Sequence, residues 1–169
     1  ESARVKKLII QIPAYNEVET LPEVLDDLPR HLEGIESIQI IVIDDGSTDN
    51  TAQVALEHGA DFVLRHRNNL GLSRAFISGI QFALALGADI IVNTDADHQY
   101  PGNEIERLIQ PILAGNSDLV IGDRQPQHNR NFSPWKRFLE KLGSAIARKV
   151  SDTDIPDAVS RSEERRVGK

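Results

Sequence analysis

The sequence predicts an α/β fold in which a mostly parallel central sheet carries helices on both faces, giving three layers. Three observations support this prediction. Short runs rich in β-branched residues alternate along the chain with longer segments of helical periodicity. Glycine or proline stands at the end of most segments. Polar clusters follow four of the five predicted strands, at the edge where open α/β sheets bind ligands.

Each predicted strand is a short apolar run that stops at a turn or at polar residues. The predicted strands are 7–12, 38–43, 62–64, 90–93 and 119–121. The helices between them are predicted from apolar residues at helical spacing and from capping residues. They are 18–28, a helix capped by Ser47 or Thr48 that ends at His58, 71–86, 103–114 and 134–150.

Composition and charge exclude several classes of protein. The 169 residues are enough for one domain with its own core, and 40% of them are hydrophobic. A net charge of −7 argues against a protein that binds the nucleic-acid backbone, so we expect no nucleic-acid partner. The absence of cysteine excludes disulfide frameworks and zinc–thiolate sites. No apolar run approaches the roughly 20 residues of a membrane-spanning helix.

The two ends of the sequence differ from its body. No methionine occurs, so we expect Glu1 not to be the natural start. Residues 161–169 are highly charged, lack an apolar period and match a translated sequencing adapter, although a solvated basic tail is the alternative. We therefore predict one truncated domain over 1–160 and a non-native tail over 161–169.

A diphosphate group would have to be held through a metal ion. The sequence contains neither G-x-x-x-x-G-K-[ST] nor a G-x-G-x-x-G that follows a strand. Asp95 and Asp97 follow the predicted strand 90–93, and an extended chain would point both carboxylates the same way. Mg²⁺ takes one or two carboxylates and completes its shell with water and substrate phosphate oxygens. The alternative is a turn in which Asp95 bonds to local backbone.

Three loop motifs, in this order, resemble those of family 2 glycosyltransferases. They are residues 12–17 (IPAYNE), 43–49 (IDDGSTD) and 95–101 (DADHQYP). The resemblance covers residues 8–160 and includes the polyprenyl- and dolichyl-phosphate sugar synthases. It implies a Rossmann-like GT-A domain that moves a sugar from a UDP- or GDP-sugar to an acceptor, here a polyprenyl phosphate, with Mg²⁺ or Mn²⁺.

The resemblance also assigns residues to the nucleotide. It implies a nucleotide pocket lined by Pro13, Ala14, Tyr15 and Glu17. It implies that base and ribose are contacted by Ile43 and Asp45. Tyr15 could instead serve packing, and Glu17 could instead be a favourable charge at a helix N-terminus.

The diphosphate side follows from the same resemblance. It implies that the sugar diphosphate is flanked by Asp95, Ala96 and Asp97. It further implies that Asp97 and Gln99 hold Mg²⁺ or Mn²⁺ and that Arg124 reaches phosphate, although Asp123 stands where the family commonly has serine.

The acceptor side carries two further expectations. Arg137 resembles the arginine that contacts the acceptor phosphate, and a solvated helix face is an equal alternative. If the acceptor is a hydroxyl, a general base is needed, and Asp157 is the candidate. We expect a cytoplasmic protein, at the cytoplasmic face of the membrane when full-length and attached only through a segment beyond this sequence.

The expected mechanism is an inverting displacement. The metal on Asp97 would neutralise the leaving nucleoside diphosphate, and a lipid phosphate acceptor is already ionised. Two other functions remain open: a nucleotide-sugar-binding module without transfer activity, and a sugar-1-phosphate nucleotidyltransferase.

Overall fold

The strands of the sheet are all parallel and lie in the order β3-β2-β1-β4. The computed structural model describes residues 6–97 and 102–118. Within them the strands are β1 Lys7–Ala14, β2 Ser37–Asp44, β3 Phe62–Arg65 and β4 Ile90–Asn93. These confirm four predicted strands to within two residues. The predicted strand 119–121 lies outside the described residues.

Within residues 6–97 and 102–118, four helices connect or follow these strands. They are α1 Leu21–Asp27, α2 Thr51–Glu57, α3 Leu72–Ala85 and α4 Glu104–Leu113. The predicted helix 134–150 lies outside the described residues. In the part of the chain that the structure describes, no helix combines the length and hydropathy that crossing a membrane requires.

The prediction that Ser47 or Thr48 caps α2 was wrong. The helix begins at Thr51, and its N-cap residue Asn50 makes no side-chain capping bond. Ser47 and Thr48 instead bond to Asn16, in the loop after β1. Ser47 and Thr48, which the local sequence predicted as caps of α2, therefore bond to a residue that is distant in the sequence.

Successive side chains of β1 alternate between two cores, which places a helical layer on each face of the sheet. Leu8, Ile10 and Ile12 belong to the core that includes α1, α2 and α4. Ile9 belongs to the opposite core, which includes α3. Because both faces are covered, β1 reads as a nearly continuous apolar run. This confirms the predicted three-layer α/β class.

The order in which strands are added to the sheet reverses at β1. From β1 the strands proceed outward through β2 to β3, and the chain then returns to the other side of β1 as β4. In open α/β sheets such a reversal leaves a crevice beyond the carboxyl ends of the two strands concerned. The segments that enter this region are residues 15–17 after β1 and 94–97 after β4.

Helix α3 approaches the sheet closely at Gly79. Gln11 is fully buried on β1 beneath this helix. Its Nε2 donates to Asn93 Oδ1 at 2.9 Å and to the Phe76 carbonyl at 3.4 Å. A Cβ at Gly79 would overlap Gln11 Oε1 and lie 2.7 Å from Ile43 Cδ1. The absence of a side chain at Gly79 therefore allows α3 to cover the amide pair between β1 and β4.

Gly79→Ala should destabilise the protein even though alanine favours helices. The gain in helix propensity is at most about 1 kcal/mol, and overpacking a filled core costs about 1–3 kcal/mol. We expect a net loss of about 1–2 kcal/mol in the free energy of unfolding, measured by urea denaturation. Ser73→Ala, at an exposed position of the same helix, is the matched control and should stay within about 0.5 kcal/mol. Equal stability of the two variants would contradict this packing.

Candidate functional site

The loop after β1 is bonded to the loop after β2 through Asn16. The Asn16 backbone has a φ of 53°, in the left-handed region that asparagine tolerates better than most residues. Its N–H donates to Ser47 Oγ at 2.9 Å, and its Oδ1 accepts from the Thr48 N–H at 2.9 Å. These two bonds hold the turn after β1 against the turn after β2.

A second set of bonds joins these loops nearer to α1 and α2. The Glu17 N–H donates to Thr51 Oγ1 at 3.0 Å, and the Val18 N–H donates to Asp49 Oδ2 at 3.4 Å. The Glu17 carboxylate accepts from Thr20 Oγ1 at 2.7 Å. Glu17 therefore bonds locally just before α1, and its predicted place in the nucleotide pocket stays a prediction.

Asp49 is held in its ionised form. Partial burial raises the pKa of this carboxyl, but hydrogen bonds from the side chain and backbone of Thr51 and from the Val18 N–H lower it. The net pKa of Asp49 lies below its ordinary value of 3.8. The negative charge thus strengthens the link between the first two loops.

Asp44 closes the turn after β2 from inside the fold. The residue is fully buried, and its Oδ1 accepts from the Ser47 N–H at 2.9 Å. Arg65 Nε lies 3.2 Å from Asp44 Oδ2, an ion-pair distance without the geometry of a hydrogen bond. Arg65 also donates to the Ser47 carbonyl at 3.2 Å. The end of β3 therefore supports the turn after β2.

The Asp45 carboxylate is enclosed by the segment that follows β3. His66 Nδ1 lies 2.7 Å from its Oδ1, which also accepts from the Leu70 N–H at 2.9 Å. Its Oδ2 accepts from the Gly71 N–H at 2.8 Å. The other ring nitrogen of His66 lies 3.0 Å from Ser78 Oγ on α3. One carboxylate thus joins β2, the β3–α3 connection and α3.

The structure brings the first two predicted groups of site residues together. Pro13 pairs with Ile43, and Ala14 pairs with Asp44, across the β1–β2 ladder. Ile43 is fully buried in the core beside α3. Tyr15 is 45% exposed at the carboxyl edge.

The third group lies at the end of β4. Asp95 and Asp97 are half-buried, while Ala96 is buried in the core that includes α1, α2 and α4. Four predicted site residues lie outside the described residues: Gln99, Arg124, Arg137 and Asp157. Their roles stay predictions.

The donor set at the end of β4 fits a cation that is shared with a ligand. Among residues 6–97 and 102–118, no three His, Cys, Asp or Glu side chains form a group that could hold a metal ion. Mg²⁺ sites of the substrate-bridging kind use one or two carboxylates and take their remaining oxygens from phosphate and water. Asp95 and Asp97 are two half-buried carboxylate residues just after β4, which matches this number.

Sequence reasoning missed the residues that hold the loops in place. His66 carried no signal, because its partner Asp45 is 21 positions away in the sequence. Asn16, Ser47 and Thr51 lie in or beside the motifs, but only the three-dimensional structure pairs them.

The sequence model of glycosyl transferase family 2 matches residues 9–162. This chain belongs to that family. Among its family relatives, the UDP-N-acetylglucosamine–dolichyl-phosphate N-acetylglucosaminyltransferase of Methanococcus voltae is 32% identical over 82% of this chain and 60% of that protein. The dolichol-phosphate mannosyltransferase of Pyrococcus furiosus is 34% identical over 91% of this chain and 44% of that protein. The chain therefore spans about half the length of these relatives.

Solved structures of other proteins have a fold similar to that of this chain. Glucosyl-3-phosphoglycerate synthase from Mycobacterium tuberculosis, in complex with Mn²⁺, UDP and glucosyl-3-phosphoglycerate, is similar with a TM-score of 0.52 and 26% identity. The likeness covers 64% of this chain and 40% of that one. The same enzyme has also been solved with Mg²⁺ and UDP. That synthase thus binds a divalent cation together with UDP.

Gly46→Ala should be more damaging than the backbone conformation alone explains. Gly46 has a φ of 75°, and a Cβ there would overlap the Asn68 carbonyl carbon and lie 2.8 Å from Asn68 Cα. Gly115→Ala is the matched control, because Gly115 has a φ of 74° with nothing within 4 Å of the new Cβ. Both variants should lose about 1 kcal/mol to left-handed strain, and Gly46→Ala about 1–3 kcal/mol more. Thermal denaturation compares them, and equal losses would contradict the contact.

Asp49→Asn should reveal the charge of Asp49 through pH. A carboxyl whose folded pKa is depressed contributes stability above its unfolded pKa, and this contribution disappears as pH falls through the folded value. The wild-type protein should therefore be more stable than Asp49→Asn near pH 6, and the difference should shrink as pH falls below 3.8. Urea denaturation at a series of pH values measures it. A difference that stays constant through the acid range would show that the ionised form is not favoured.

Proposed function

We propose that this chain is the donor-binding part of a metal-dependent glycosyltransferase that moves a sugar from a nucleoside-diphosphate sugar to a polyprenyl phosphate. One observation carries the proposal. The motif loops after β1, β2 and β4 all emerge at the carboxyl edge of one parallel sheet, on both sides of the strand where the chain reverses. This edge is where the fold class binds nucleotides.

The loops after β1 and β2 bind the nucleoside. Tyr15 offers an exposed aromatic ring at this edge, and aromatic rings suit stacking against a base. The M. voltae relative is named for a UDP-sugar donor and the M. tuberculosis structure holds UDP. These names support UDP as the first donor base to test, with GDP as the alternative.

The diphosphate lies at the end of β4. Asp97 and Gln99 hold Mg²⁺ or Mn²⁺, Asp95 and Ala96 flank the sugar diphosphate, and Arg124 contacts phosphate. When bound, the cation supplies positive charge that stabilises the leaving nucleoside diphosphate. The position of Asp97 just after β4 supports this role, because this edge of the sheet is where the fold class binds ligands.

The acceptor needs little activation. A phosphate monoester is ionised at neutral pH, so its oxygen attacks without a general base and inverts the anomeric centre. Arg137 pairs with that phosphate in this proposal, and Asp157 would act as a base only for a hydroxyl acceptor. The names of the M. voltae and P. furiosus relatives support a lipid phosphate. A lipid acceptor would place the complete protein at the cytoplasmic face of a membrane.

Asp97→Asn should weaken metal-dependent donor binding while leaving the fold intact. The substitution keeps the size of the side chain but removes the charge that attracts the cation. Affinity for UDP in the presence of Mn²⁺ should fall at least tenfold, about 1.4 kcal/mol, in calorimetric titration.

The control variant is Asp26→Asn. Asp26 is an exposed carboxylate that pairs with His58 across α1 and α2, away from the carboxyl edge. Its removal should leave UDP affinity within twofold of wild type, since one rim charge distant from the ligand matters little. Unchanged affinity of Asp97→Asn for UDP with Mn²⁺, and likewise for GDP, would refute the metal assignment.

A further inference from the structure

The Asp45 carboxylate holds one particular segment, residues 66–71, which we call the β3–α3 loop. Three donors surround the carboxylate, and all three belong to this loop: His66 Nδ1, the Leu70 N–H and the Gly71 N–H. The Gly71 N–H also lies 3.1 Å from Asn69 Oδ1. Both carboxylate oxygens therefore engage the β3–α3 loop.

A second contact fixes the same loop independently of these bonds. The backbone of Asn68 lies so close to Gly46 that an ideal Cβ on Gly46 would be 2.8 Å from Asn68 Cα and nearer still to the carbonyl carbon. Gly46 belongs to the turn after β2, which is bonded to the turn after β1. The middle of the β3–α3 loop thus lies directly on the nucleotide-binding turns.

His66 is the side chain that completes this arrangement. The side chains of His66 and Asp45 are both largely shielded from solvent, at 11% and 5% exposure. An ionised carboxylate only accepts hydrogen bonds, and His66 Nδ1 lies 2.7 Å from Asp45 Oδ1, within hydrogen-bonding distance. Hydrogen bonds to a charged acceptor in such surroundings are about twice as strong as neutral ones. The Nε2 contact with Ser78 fixes the plane of the ring.

The surface that the β3–α3 loop presents is polar and accessible. Arg67, Asn68 and Asn69 are all exposed, and they offer guanidinium and amide donors beside the turn after β2. Such donors suit the hydroxyls of a ribose and the edge of a base. Asp45 itself is almost fully buried, so little of its carboxylate is available to a ligand.

We propose that His66 is a positioning residue of the donor site: it orients Asp45, which holds the β3–α3 loop as a wall of the nucleotide pocket. The proposal rests on the proposed function, since it names how that site recognises the nucleoside of its donor.

The two amide isosteres of histidine separate this role from general packing. In His66→Asn the side-chain amide nitrogen stands near the position of Nδ1, so the bond to Asp45 is kept and the contact with Ser78 is lost. In His66→Gln the amide reaches toward Ser78 and the bond to Asp45 is lost. His66→Asn thus removes the contact with Ser78, and His66→Gln removes the contact with Asp45.

A matched control exists elsewhere in the chain. His58 Nδ1 lies 3.0 Å from Asp26 Oδ1, a histidine–aspartate pair that joins the end of α2 to α1. The end of α2 lies at the amino edge of the sheet, since the chain goes from there into β3. His58→Gln removes a similar pair without touching the carboxyl edge.

Two measurements are made on the full chain. Calorimetry with UDP and Mn²⁺ should show an affinity about five- to tenfold lower for His66→Gln than for wild type. The affinity of His66→Asn should be closer to that of wild type than to that of His66→Gln. The affinity of His58→Gln should stay within twofold of wild type. Amide hydrogen exchange without ligand should show faster exchange at Leu70 and Gly71 in His66→Gln, and protection nearer to wild type in His66→Asn.

The outcomes separate the two proposals. If wild-type protein binds UDP and His66→Gln binds it equally well, the positioning role is refuted and the donor site stands. If His66→Asn and His66→Gln lose affinity equally, the bond to Asp45 is not what matters, which also refutes it. If wild-type protein binds neither UDP nor GDP, the proposed function fails, although exchange at Leu70 and Gly71 still tests whether His66 holds the loop.

Discussion

The arrangement of the site depends on two adjacent carboxylates, Asp44 and Asp45, which are buried where β2 ends. Burying a carboxylate is unfavourable by several kcal/mol unless hydrogen bonds or opposite charges compensate it. Here the compensating groups come from the surrounding loops: the Ser47 N–H and Arg65 for Asp44, and His66 with two backbone N–H groups for Asp45. The loops cannot move away without leaving a buried charge unpaired, so the two carboxylates fix the shape of the carboxyl edge.

This constraint explains why the edge is organised before any ligand arrives. The loop after β1 contributes Asn16 and Glu17 to bonds with the loop after β2, and the β3–α3 loop rests on Gly46. A binding site whose loops are already ordered loses less conformational entropy when the ligand binds. The hydrogen bond between Gln11 and Asn93 also joins β1 to β4 near the carboxyl edge.

Sequence alone predicted most of the described fold, and the site remains a prediction at the carboxyl edge of the sheet. Runs such as 38–43 are β-branched throughout or nearly so, and strands rich in such residues end at recognisable turns, so four strands were predicted to within two residues. The cap of α2 and the role of His66 could not be predicted. Ser47 has the chemistry of a cap, but its hydroxyl accepts from Asn16, 31 positions earlier. Which donor satisfies a given oxygen depends on contacts between distant segments, and no local pattern encodes them.

Asp45 and Asp97 show why the same residue type at one edge need not perform the same task. The motifs predict a place beside the nucleotide sugar for both, but their surroundings in the fold differ. The Asp45 carboxylate contacts His66 Nδ1 and accepts from the Leu70 and Gly71 N–H groups, so it interacts mainly with the protein itself. Asp97 is half-buried just after β4, where we propose that a cation binds. Environment assigns roles to carboxylates of equal intrinsic chemistry, as it does in other enzymes. It follows that the nucleoside half of the site should depend on the histidine–aspartate pair and the diphosphate half on the metal. The two halves should respond separately when either is altered.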